Sequence, residues 1–199
     1  NREFAVVTYS FFALFIAMTA YFIHFVGFAA EDFINSPYNP RVSTFSSTTK
    51  RGDILASDGT VLATSQLDSD GNETRKYPQG SEYAHVVGFA TNGMSGVELD
   101  ANFNLLRSHS FFLDKLQNEF QNKKNNGDSV VTTLIPSVQD VMYTGMSAYE
   151  GGAIAINPST GEIIALVSRP AFDANTIEAN WDQLSSNSSS SVLVNRATQ

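Results

Sequence analysis

The chain has 199 residues, enough for one or two domains, and carries twenty Asp and Glu against twelve Lys and Arg, a formal charge of −8. That balance argues against nucleic acid as a partner. Cysteine is absent and the three histidines are far apart in sequence, which excludes a disulfide framework or a thiolate metal site and predicts no cofactor.

From the N-terminus, Phe4 to Ala30 contains no Asp, Glu, Lys or Arg and is packed with Phe, Ala, Val, Ile and Leu. At 1.5 Å per residue, about 27 helical residues reach ~40 Å, more than the ~30 Å hydrocarbon core, so 1–30 is expected to be a single-pass transmembrane signal anchor. The apolar core of a cleaved signal peptide is shorter, about 7–15 residues. Arg2 precedes the span while Glu31 and Asp32 follow it, which predicts a cytoplasmic N-terminus and an extracytoplasmic remainder. The missing initiator Met suggests a trimmed tail. Thr8, Ser10 and Thr19 could face a partner helix, but bonding back to their own helix carbonyls is the simpler expectation; His24 near the outer end can reach interfacial water.

Asn35 to Lys50 is rich in Ser, Thr, Pro and Asn without helical periodicity, so 31–50 is expected to be an extended linker. Arg51 to Ala63 then reads as a hairpin with Asp58-Gly59 at its turn. Tyr77-Pro78-Gln79-Gly80 leads to Ala84-His85-Val86-Val87-Gly88-Phe89, a strand-like apolar run. His85 in that run is expected to be structural, because no carboxylate or nucleophile accompanies it in sequence. Ser95-Gly96-Val97-Glu98 and Asn104-Leu105-Leu106 follow. Ser110 to Lys124 places Phe112, Leu113, Leu116 and Phe120 at helical spacing, predicting an amphipathic helix that packs on the sheet.

Lys123 to Gly127 breaks that pattern, and a domain boundary is expected between 126 and 127. Gly127 to Thr133 reads as a strand, and Pro136 with Ser137 opens a helix running through Gln139, Val141, Met142 and Met146. Ala153–Ile156 and Ile163–Val167 are apolar without alternation, as expected of strands covered on both faces, with Pro158 and Gly161 supplying the turn between them. The chain runs on through Trp181, Leu184 and the Ser-rich stretch 185–191, expected to be a flexible loop, to Asn195-Arg196 and Gln199.

Several of these strings together resemble the class B penicillin-binding proteins, the monofunctional peptidoglycan D,D-transpeptidases. Gly151 to Asn175 carries an NPxTGEI turn (Pro158, Thr160, Gly161, Glu162) and then SRPxFDxN (Pro170, Asp173, Asn175), similar to the first hairpin of their transpeptidase domain. The order RGxI (Arg51, Gly52), DG (Asp58, Gly59), YPxG (Tyr77, Pro78, Gly80), AHxxG (His85, Gly88) and G[IL]E-like Gly96-Val97-Glu98 resembles their pedestal, or dimerisation-type, domain. Gly127 to Thr133 resembles their GxxVxxT strand, although Leu134-Ile135 stands where relatives continue Thr-Ile-Asp. Asn195 and Arg196 resemble the approach to the nucleophile helix.

The resemblance implies an α+β chain: a transmembrane helix at 1–30, a linker at 31–50, a small β-rich pedestal at 51–126, and the first helix and hairpin of a transpeptidase domain at 127–199. It implies that these residues anchor and position an enzyme that cross-links peptidoglycan stem peptides, is acylated by β-lactams, and binds a SEDS-family glycan polymerase through anchor and pedestal. No catalytic residue is expected here, since the family's serine and the lysine one helical turn later would lie beyond Gln199. Ser47-Thr48-Thr49-Lys50 and Ser185-Ser186-Asn187 match Ser-x-x-Lys and Ser-x-Asn only by chance, Asn72-Glu73-Thr74 and Asn187-Ser188-Ser189 match a glycosylation pattern by chance, and Lys-Thr-Gly is absent. Arg51 and Glu98 could be a buried pair or solvated charges. Two other readings stay open: a membrane-anchored scaffold that kept the pedestal without the enzyme, and an unrelated adhesin, which leaves SRPxFDxN unaccounted for.

Overall fold

The computed structural model describes residues 2–29, 46, 48–121, 123–186 and 190–199, in two units, one up to Asn39 and one from Pro40 onward. Most of the expected linker, the Ser47 of the chance Ser-x-x-Lys match, Asn187 and the centre of the Ser-rich stretch lie outside the described residues.

The first unit is α1, Arg2–His24, continued by one π-helical turn over Phe25–Ala29. No side chain of α1 is buried, as suits a helix long and apolar enough to cross a membrane. Thr8, Ser10 and Thr19 each donate to the carbonyl four residues earlier, at 2.9 Å, so none presents an unsatisfied hydroxyl. His24 lies 5.3 Å from the Phe28 ring.

The second unit opens with β1, Thr49–Lys50, β2, Ile54–Leu55, β3, Val61–Leu67, and β4, Glu73–Lys76. Gly59 takes φ +87° at the first turn, where Asp58 accepts from the Thr60 amide at 2.9 Å. A second hairpin, β3–β4, turns at Asp68, whose carboxylate accepts from the Asp70 and Asn72 amides. Helices α2 (Ala84–Val87), α3 (Gly96–Asp100), α4 (Asn102–Leu106) and α5 (Phe112–Phe120) follow. Then come β5, Asn125–Asn126, β6, Val130–Val131, and α6, Pro136–Gly145, which begins on its proline. The hairpin β7, Gly151–Ile156, and β8, Ile163–Arg169, precedes α7, Ile177–Ser186.

The main sheet has the order β4-β3-β2-β6, with β6 parallel to β2, while β1 pairs parallel with β5 and β7 antiparallel with β8. The incoming chain at 49–55 therefore lies beside the outgoing chain at 125–131. Gly52 and Gly127 permit that crossing: a Cβ on Gly52 would stand 2.0 Å from the Asp128 carbonyl oxygen, and one on Gly127 would stand 1.9 Å from that of Leu105. One hydrophobic core joins Ile54, Leu62, Val87 and Leu105 to Leu134, Phe172 and Ile177.

Three local expectations are corrected. Ala84–Val87 is a helical turn and not a strand; it buries Ala84, His85 and Val87 together, which an extended backbone, with side chains alternating between faces, would not do. The amphipathic helix exists as α5, but none of its residues is buried, and Phe112 and Phe120 are 70% and 81% exposed. Strand β8 is buried only from Ala165 to Ser168, with Ile163 exposed, whereas β7 alternates, leaving Ile154 and Ile156 open on one face. Among the described residues β7 pairs with β8 alone.

Candidate functional site

The most strongly built polar feature is an ion network around Glu98, which is fully buried on α3. Arg51 donates from Nε to Glu98 Oε2 at 2.6 Å, from Nη2 to the Glu98 carbonyl at 2.6 Å and from Nη1 to Asn102 Oδ1 at 2.6 Å. Arg75, placed inward by the alternation of β4, donates from Nε to Glu98 Oε1 at 2.7 Å, and from Nη1 to the Gly52 carbonyl and Ser65 Oγ. Each carboxylate oxygen thus takes one guanidinium. Burial lowers the Arg51 pKa, opposed by the adjacent Glu98 carboxylate. The backbone amide of Arg51 is held by Glu73 Oε1 at 2.8 Å. Arg75 Nη2 and Asn102 Nδ2 are buried with no protein acceptor. Such a network fixes the geometry of the elements it joins, and its worth to stability is realised only while all three charges are present.

A second set of polar contacts stitches the 51–126 segment to the segment that follows. Asn175 accepts from the Tyr77 amide and donates to the Tyr77 carbonyl, both at 2.9 Å. Asp173 Oδ1 accepts from the Asn175 backbone amide and from its side-chain Nδ2, each at 2.9 Å, and the second bond orients that side chain. Tyr77 is buried, its hydroxyl accepts from the Ala90 amide at 2.9 Å, and burial raises its pKa. His85 lies 3.2 Å from the Pro170 carbonyl through Nε2 and edge-on to Phe172 at 5.0 Å. Burial lowers the His85 pKa; the Pro170 carbonyl opposes this and the Arg196 charge adds to it. Phe89 continues the cluster to Phe172 and Trp181.

Gln139 completes the seam from α6: its Nε2 donates to the Glu82 and Leu166 carbonyls, and its Oε1 accepts from the Leu166 amide. The C-terminal turn lies on the hairpin through Ser168, which donates to the Val194 carbonyl at 3.3 Å and accepts from the Arg196 amide at 3.0 Å. Arg196 donates to the Ser190 and Ser191 carbonyls, and Asn195 reaches the His85 carbonyl at 3.4 Å.

The other motif residues shape turns. Gly80 donates its amide to the Tyr77 carbonyl after Pro78, and Gly88 closes α2 on the Ala84 carbonyl. Gly96, at φ +56°, opens α3. In the hairpin turn Asn157 and Glu162 pair through the backbone at 2.9 Å across Pro158 and Gly161, and Thr160 donates to Glu162 Oε2 at 2.7 Å. Arg75, Asn102, Gln139 and Ser168 carry the networks without having been singled out in the sequence. The only local signal for Arg75 is its spacing of two from Glu73, which sets both on one face of β4, and Gln139 is one amide buried on α6.

None of these groups forms a nucleophile–base pair. His85 spends Nε2 on a carbonyl, and no cluster of three potential metal ligands occurs among the described residues. Lys50 of the chance Ser-x-x-Lys match lies in β1 and not on a helix. Ser186 donates to the Asp182 carbonyl within α7.

Residues 51–130 match the family model of the penicillin binding protein A dimerisation domain. The chain is 33% identical over 188 residues to the peptidoglycan D,D-transpeptidase PbpA of Mycolicibacterium smegmatis, spanning 85% of this chain and 38% of that relative. Penicillin-binding protein A from M. tuberculosis, solved as an imipenem acyl-enzyme complex, superposes with a TM-score of 0.64 at 30% identity, over 74% of this chain and 37% of that one. The D,D-transpeptidase domain structure from Eggerthella lenta gives 0.62 at 31% identity, over 75% and 32%. The chain thus spans well under half the length of these relatives. Residues 51–130 therefore belong to the penicillin binding protein A dimerisation-domain family, and the chain as a whole is similar to the corresponding part of peptidoglycan D,D-transpeptidases.

Proposed function

We propose that these residues are the anchoring and positioning part of a serine-type D,D-transpeptidase that cross-links peptidoglycan stem peptides at the outer face of a bacterial cell membrane. The observation that carries this reading is the seam in which Asn175 of SRPxFDxN brackets the backbone of Tyr77 of YPxG. It ties the opening of an acyl-transfer domain to a rigid base. In this reading 1–30 is a single-pass anchor, 31–50 a linker, 51–126 the pedestal and 127–199 the start of the transpeptidase domain. The motif residues act as structure, and catalysis belongs to a serine and lysine beyond Gln199. The intact protein is acylated by β-lactams, and its glycan-polymerising partner is a SEDS-family protein held through anchor and pedestal.

The test is to sequence the gene past the codon for Gln199 and label its product with a fluorescent penicillin. The expected result is a labelled product whose modified serine precedes a lysine by three positions, while the 199-residue chain stays unlabelled. A stop directly after Gln199 would favour the scaffold reading, and labelling of the 199-residue chain would overturn the assignment of catalysis.

A further inference from the structure

We propose that the apolar face of α5 docks on the surface of an anionic lipid bilayer. This rests on the reading of α1 as a membrane anchor. At about 100° per residue, Phe112, Leu116, Phe120 and Leu113 fall within a single arc of about 100°. All four are exposed, as is Phe111 just before the helix, at 66%. The helix is nonetheless fastened at both ends on its polar side. Lys115 donates to the Ser108 carbonyl at 2.6 Å, Asn118 donates to Asn125 Oδ1 at 3.1 Å, and the Lys123 amide donates to the Asn118 carbonyl at 2.8 Å. The fold thus holds the apolar arc outward, where contiguous exposed apolar surface marks a contact.

Charge and connectivity select the bilayer. In a chain of net −8, residues 107–128 carry four cationic and three acidic side chains, and Arg107 and Lys123, beyond the two ends of α5, are exposed. Cations flanking an aromatic arc suit a helix lying in the interface of an anionic membrane, its apolar side about 5–10 Å deep. The anchor's chain also enters the body beside this helix. Strand β5, which begins five residues after the end of α5, pairs with β1, and Lys124 donates to the Ser46 carbonyl at 3.0 Å. The connection from α1 at residues 30–45 can span at most about 55 Å, so the tether alone keeps the local concentration of lipid surface high. A second copy is a poorer occupant: nine helical residues, about 14 Å long, offer far less than the ~800 Å² per partner of a stable interface.

The test uses the absence of cysteine in the 199-residue chain. Single substitutions Phe112→Cys and Phe120→Cys on the arc, Asn118→Cys on the opposite side and Ala13→Cys in α1 are labelled with a fluorophore. Each labelled chain is reconstituted in phosphatidylethanolamine–phosphatidylglycerol vesicles containing lipids with a nitroxide quencher. Quenching at Phe112 and Phe120 several-fold above that at Asn118, reduced in phosphatidylcholine vesicles or at high salt, is the expected result. Quenching at Ala13 but not on the arc overturns the docking and leaves the anchor intact. No quenching at Ala13 overturns the anchor reading itself. Coupling between arc labels of two copies, without lipid quenching, overturns the proposal in favour of a second copy. Phe112 and Phe120 are exposed, Ala13 lies in α1 and Asn118 is half-buried, and circular dichroism verifies the fold of each.

Discussion

Asn175 and Tyr77 are 98 residues apart in sequence, yet the side-chain amide of the first satisfies both backbone groups of the second. Asn175→Ala removes both bonds at once, together with the side-chain bond to Asp173, while the backbone amide of residue 175 keeps its bond to that carboxylate. The expected loss is about 1–2 kcal/mol, read as a lowered urea midpoint. Asn175→Asp keeps an acceptor for the Tyr77 amide but sets a carboxylate against the Tyr77 carbonyl, so it should not restore stability.

Glu98→Ala strands two buried guanidiniums, and the expected cost is about 3–5 kcal/mol. Replacing Arg51, Arg75 and Glu98 together with apolar residues of similar volume should cost less than Glu98→Ala alone, because no buried charge is then left unpaired. Urea denaturation of the two variants decides between this and simple additivity.

His85 is buried, and its folded pKa lies below its ordinary 6.5. Between the two values the unfolded chain binds more protons than the folded one, so its neutral form contributes stability that is complete above pH 6.5 and is lost as pH falls below it. Unfolding midpoints measured from about pH 7.5 down to about pH 5 should therefore decline, and His85→Gln should flatten the part of that slope due to this imidazole.

Gly52→Ala would place a Cβ 2.0 Å from the Asp128 carbonyl oxygen, with backbone on both sides of the contact. Separating those strands should cost at least about 1–3 kcal/mol. Gly145→Ala, at the end of α6 with nothing within 4 Å of its Cβ, should instead gain up to about 1 kcal/mol in thermal or urea unfolding.

The elements with local chemistry were legible in the sequence: the Asp58-Gly59 turn, the Pro136 helix start and the Asn157 to Glu162 turn each declare themselves within a few residues. What escaped depends on partners distant in the chain. Arg75 acquires its role from Glu98 on another element, and Gln139 from a strand that begins 24 residues later. The helical turn at His85 was misread because a run as short as Ala84–Val87 suits either period, and burial against Phe172 and Pro170 decides. The outward face of α5 ran against the usual expectation that an apolar stripe covers a core. Its periodicity specified a helix but not what the helix would meet.

The parallel pairing of β1 with β5 and β2 with β6 also has a mechanical meaning. Tension arriving at the start of β1 and resisted beyond β6 loads these short ladders in shear and passes from one to the other along adjacent backbone. The hairpin β3–β4 and helices α2 to α5 hang from that line as a side loop. The body can therefore transmit a pull from the N-terminal side to the later segment without the domain in between being stretched, until the hydrogen bonds from Gly127 to Lys50 and from Val130 to Asp53 give way.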